Sequence, residues 1–268
     1  MRLFGKVKEK IIEPQIHETE DNLSLTSGAH ILFGCKNVTL SGNAVVLETT
    51  DSNFLSISNK AKIKVMHNGE IDIIKDNAKI EYVEVGKITK VCGKAKINAI
   101  LDCDIDYICD SARIGTLNNG FIKFVDGKVK IDTINNCQIF FVRNNAKIST
   151  LNNGVIVGIT DNVQITTINH GKVSYVLGNS IIHTMNMGDI LELCDNAEIG
   201  TVVGGTISRM MGYSMLEQQI GGKVKEKLGS AIIAYTQKQS KQTKATKEAK
   251  QTKPVATEQQ SFDESEVK

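Results

Sequence analysis

The chain has no tryptophan, only 2 prolines among 268 residues and an aromatic content of 5%. So little proline leaves backbone N–H groups free to pair along extended runs, and the Ile/Val-rich remainder favours strands over a loop-rich fold. An excess of one charge is missing too. Lys plus Arg number 32 against 30 Asp plus Glu, and a net charge of +2 predicts no polyanion partner by itself. The six cysteines (35, 92, 103, 109, 137 and 194) include no CxxC pair, so a zinc knuckle or thioredoxin-type motif has no support and they read as reduced thiols. The five histidines (17, 30, 67, 170 and 183) show no metal-ligand spacing, and neither metal nor cofactor is expected. The start, MRLFGKVKEKIIEPQ, lacks the apolar run of a signal peptide, and nowhere do 18 uncharged apolar residues run together. A cytoplasmic protein without a membrane span is expected, or a virion-associated one if the chain is phage-encoded.

What is present is a repeat. From Asp76 the chain reads DNAKIEYVEVGKITKVC, then GKAKINAILDCDIDYIC, and so onward in frames of 17 without an insertion. With Asp76 as position one, position five is Val46 followed by Ile63, Ile80, Ile97, Ile114, Ile131, Ile148, Ile165, Ile182 and Ile199. Positions thirteen and sixteen are apolar throughout, position eight is apolar except at Thr49, and position three is small, mostly alanine. A unit this short cannot bury its own apolar face, so identical units must stack and share one core. Inward positions at mixed spacings of two and three indicate short strands broken by corners. The expected fold is all-β: a single-stranded parallel β-helix (β-solenoid) of about ten coils, roughly 48 Å long at about 4.8 Å per coil, with a triangular cross-section. A 17-residue coil breaks the three-hexapeptide symmetry usual in left-handed solenoids, so a right-handed coil is expected. Position eleven mixes glycine with Ser52, Cys103 and Cys137, which indicates a cramped inward slot rather than a left-handed backbone.

Two outward columns read as stacking devices. Asn118, Asn135, Asn152, Asn169 and Asn186 follow one another at position nine, and Thr116 to Thr201 at position seven. Position six has no matching rank, which argues against the paired threonine ranks of an ice-binding face. Position four differs: Lys62, Lys79, Lys96, Arg113, Lys130 and Lys147 precede Gln164, Ile181 and Glu198. Lying between inward positions three and five, these six cations should form a basic stripe able to track an anionic polymer, or else a solvated strand partnered by Glu81 and Asp132. Position fifteen supplies Tyr107, Phe124, Phe141 and Tyr175, interrupted by Gly158, with Phe140 beside it, an aromatic patch suited to a partner, to stacked sugars or bases, or to cover by a terminal segment. Cys92 and Cys109 become neighbouring thiols at position seventeen. The acidic run DCDIDYICD holds Asp102, Asp104, Asp106 and Asp110 but gains no recurring acid, histidine or activated nucleophile from adjacent coils, so no catalytic residue is assigned and no enzyme is expected.

The phrases GNAVV, DNAKI, GKAKI, NNAKI and DNAEI, one per coil across residues 42–210, resemble the repeats of polymer-forming bactofilin-type solenoids and of repeat proteins from phage and prophage genomes. The resemblance implies a small right-handed core with disordered tails, acting as a self-assembling, nucleotide-free scaffold. The chain departs from that pattern in its Asn and Thr ladders, its basic stripe and its expected end caps. Four segments are expected: an N-terminal cap (1–41), the solenoid (42–211), a C-terminal cap (212–236) and a disordered tail (237–268). The functional expectation is a non-enzymatic, homo-oligomeric scaffold or binding protein that presents its repeat surface to a protein or other macromolecule. The alternatives are a polyanion or nucleic-acid binder, a phage-encoded recognition or host-interaction protein, and a carbohydrate-active β-helix protein.

Overall fold

The computed structural model describes residues 13–237, so GKVKEKI at 5–11 and all but the first residue of the expected tail lie outside the described residues. Twenty-three strands, from Gln15–Glu18 to Ile232–Thr236, pair in parallel as one continuous sheet, with no helix among the described residues. They wind as a β-solenoid of about 13 turns of about 17 residues. The register follows the repeat: Lys62 pairs with Lys79, Lys79 with Lys96 and Lys96 with Arg113.

Burial explains the coil. In Lys130–Asn135 the pattern runs out, in, out, half-out, in, and Gln138–Val142 behaves alike. Two successive outward residues in each strand break the alternation and bend the chain around the core. The inward Ile, Val, Leu and Ala side chains stack as a dry column along the axis, with Ile63, Ile97 and Ile165 each at 0% exposure. Each such burial contributes about 1.5–3 kcal/mol.

Two corners have left-handed backbone. At position one, Asp76 (φ 60°), Gly93 (67°), Asp110 (60°) and Asn144 (62°) open a turn that closes when the Ala95 N–H donates to the Cys92 carbonyl at 3.3 Å. Aspartates at this position also reach back one coil, Asp110 Oδ2 accepting from the Gly93 N–H at 2.9 Å and Asp161 Oδ2 from the Asn144 N–H at 2.9 Å. At position ten, Asp51, Asn68, Asp102, Asn119, Asn136 and Asn153 are left-handed, which is the job of the second Asn in TLNNG and TINNC. The expectation for position eleven needs correction. Its slot is cramped, since a Cβ on Gly120 would lie 2.2 Å from the Cys103 carbonyl oxygen, but Gly69, Gly120, Gly188 and Gly205 also have φ between 91° and 142°. Both demands meet at those glycines, while Cys103 and Cys137 fill the same slot at 1% exposure.

Strand pairing extends into both terminal segments. Residues 15–33 already form coils, in a shorter register (Gln15 with His30) that shifts between His30 and Ile31. Residues 215–236 continue the 17-residue register, Met215 pairing with Ile232 and Thr206 with Lys223. The unpaired N–H and C=O groups of one coil's edge template the next coil whatever its side chains. Pairing therefore persists where inward positions have faded to Gln219 and Lys227, and the count rises from ten to about 13.

Candidate polyanion-binding face

The six cations Lys62, Lys79, Lys96, Arg113, Lys130 and Lys147 are all exposed and stand in consecutive register. None joins an ion pair among the described residues; neither Glu81 nor Asp132 reaches them. Asp76 and Asp110, at the corners just before Lys79 and Arg113, are engaged by backbone N–H groups of the preceding coil.

A second rank joins them. Lys60, Lys94 and Lys128 at position two are exposed, and their N–H groups donate to Gly42, Asp76 and Asp110 carbonyls of the preceding coil at 3.0, 2.7 and 2.6 Å. Position four donates likewise, the Lys96 N–H to the Ala78 carbonyl at 2.9 Å, so positions two and four flank buried position three on one outward face. Lys60, Lys62 and Lys79 line one shallow cleft with Asn43, Val45 and Asn77, and Lys62, Lys79 and Lys96 line the next with Asn98 and Glu81. Position two is hard to find in sequence because its lysines alternate with Asn77, Ser111 and Asn145. The signal was a 34-residue spacing, two coils, rather than an unbroken column.

Beyond Lys147 the edge changes sign. Glu198 is held above the usual carboxylate range, first by burial and then by a hydrogen bond with Glu217 and that group's charge, with His183 opposing.

The structure brings together four of the five aromatic candidates. Tyr107 and Phe124 stack at 5.0 Å and 15°, Phe124 and Phe141 at 6.2 Å and 13°, and Phe140 meets Phe141 edge-on at 4.8 Å. The Arg143 guanidinium lies 4.9 Å from the Phe124 centroid. Tyr175 stands apart: Gly158 intervenes, and a Cβ there would lie 2.5 Å from the Phe141 ring. Phe124 is sandwiched between Tyr107 and Phe141, so its two faces are used within the stack rather than offered to a base or sugar. The Asn column is likewise occupied, Asn135, Asn152, Asn169 and Asn186 each donating to the Asn below at 2.6–2.9 Å.

Within DCDIDYICD, Asp102 accepts from Asn119 Nδ2, Asp106 pairs with Lys123, and Asp110 accepts from the Gly93 N–H. Three of the four carboxylates thus serve separate coil-to-coil contacts, and Asp104 has no ion pair among the described residues. No helix is long and apolar enough to cross a membrane among the described residues. No protein-family model, curated protein or solved structure matches the chain. The structure shows a parallel β-solenoid, and no match supports the bactofilin-type or phage-type likeness specifically.

Proposed function

We propose that this protein is a non-enzymatic scaffold whose solenoid presents its two-rank basic face to an anionic polymer. The observation that carries this reading is the unpaired state of the cations: six consecutive position-four side chains, flanked by Lys60, Lys94 and Lys128, without an ion-pair partner among the described residues. Solvated strand lysines kept only against aggregation need no such ranks on one face of a near-neutral chain. A row of like charges at about 4.8 Å spacing repels itself, and a bound polyanion relieves that repulsion while releasing its own counterions. Heparin-affinity chromatography tests the reading. The protein should be retained at low salt and elute as salt rises, and Lys79→Glu, Lys96→Glu and Arg113→Glu together should abolish retention. Unchanged elution of that variant overturns the proposal.

A second reading, self-association, draws on exposed apolar groups in the last described coils: Tyr213 at 74%, Ile232 at 53% and Tyr235 at 56%. Concentration-dependent light scattering supports it; a strict monomer at high concentration removes it.

A further inference from the structure

Cys92 and Cys109 occupy position seventeen in neighbouring coils, and Asp110 follows the second thiol at the left-handed corner. Their two Sγ atoms and a carboxylate oxygen all lie within 4.8 Å of one another, and no other group of three such residues converges in this way among the described residues.

The backbone holds this cluster in place. The Cys92 N–H donates to the Ile74 carbonyl and the Cys109 N–H to the Val91 carbonyl, both at 2.8 Å, while both cysteine carbonyls accept the N–H that closes their own turn at 3.3 Å. Asp110 spends Oδ2 on the Gly93 N–H, and its other oxygen carries no hydrogen bond among the described residues. Cys92 is buried and Cys109 half-buried, so the pair is shielded yet reachable from the corner. We propose that Cys92, Cys109 and Asp110 bind a thiophilic divalent cation of the zinc class, with two sulfurs and one carboxylate oxygen as ligands and a fourth position open to solvent.

The donor set, two soft sulfurs and one carboxylate oxygen converging at a corner, suits a thiophilic cation. Burial, then the Asp110 charge, pushes the Cys109 thiol up to about 11. Burial also raises Cys92, with Lys90 opposing and Asp110 and Asp76 adding to the rise. Thiols held protonated are poor nucleophiles for exchange. Cys194, in the same column, has Leu177 and Met211 as coil neighbours and provides an internal comparison.

The test is titration of the reduced full-length protein with Cd²⁺, read by thiolate-to-cadmium charge-transfer absorption, with displacement by Zn²⁺. The expected result is saturation at about one ion per chain. The band should vanish in Cys92→Ser/Cys109→Ser and persist in Cys194→Ser, thermal unfolding confirming that each variant is folded. Asp110→Asn keeps an acceptor for the Gly93 N–H but loses the charge, and should weaken binding about tenfold or more. Absence of the band in the parent protein, or its survival in the double serine variant, overturns the site. A titration unchanged by Asp110→Asn overturns the three-ligand assignment.

Discussion

Position ten shows how one side chain can be at odds with its backbone. Its left-handed residues are mostly Asp or Asn, whose short polar side chains tolerate that region, but Val85 adopts φ 52° while 46% exposed. A β-branched residue there costs about 1–2 kcal/mol. Val85→Asn should therefore raise the unfolding midpoint by the equivalent of about 1 kcal/mol, measured by denaturant titration. Asn152 is the reverse case, donating to Asn135 at 2.8 Å and accepting from Asn169 at 2.9 Å. Asn152→Ala leaves both neighbours a partner short and should cost about 1–3 kcal/mol by the same assay. Glu198, raised by burial and by Glu217, binds its proton more readily folded than unfolded. Its contribution grows as pH falls through the raised value and is lost as pH climbs above it. Glu217→Gln should flatten that part of the stability profile, scanned by thermal unfolding across the acidic range.

A coil is only as stable as its contact with the coil before it. Ile131 at 1% exposure sits between Ile114 and Ile148 in the ladder, and no loop can move to fill its place. Ile131→Ala should cost about 2–5 kcal/mol, checked by chemical unfolding, and more at this central coil than the matching change near either end. Gly205 shows the same dependence in the backbone. Its φ is 91°, and an added Cβ would meet the Gly188 carbonyl oxygen at 2.0 Å, so the two coils are as close there as main chain permits. The apolar columns responsible for this stacking were legible in the sequence because burial repeats locally at every coil. The left-handed corners were less so, since Asp, Asn and Gly are interchangeable there and only the backbone shows which position turns.

At the scale of the molecule, charge is distributed rather than in excess. The basic face lies on the coils from Lys60 to Lys147 and gives way to Glu198 and Glu217 on the same side. If position two belongs to the binding face, Lys60→Glu, Lys94→Glu and Lys128→Glu should shift heparin elution to lower salt and reduce the slope of log affinity against log salt, since that slope scales with the number of anionic groups neutralised. An unchanged slope would confine the face to the single rank at position four. The position-four rank was readable as an unbroken column. The absence of ion pairs on it, and the stacking that uses the contacting aromatic faces, are matters of distance in space that no column of letters contains.

The 17-residue period alone determined the parallel β-solenoid, its inward columns and which residue stands on which, because stacking places residue i over residue i+17 wherever the frame is unbroken. Tertiary structure decided how the coil register runs at either end of the described residues, which charges there lack an ion pair, and that two thiols and a carboxylate meet at one corner. Those outcomes depend on edge templating and on side-chain reach. Backbone pairing continues after the apolar pattern has faded, and a lysine finds a carboxylate only if the coil geometry brings one within a few ångströms.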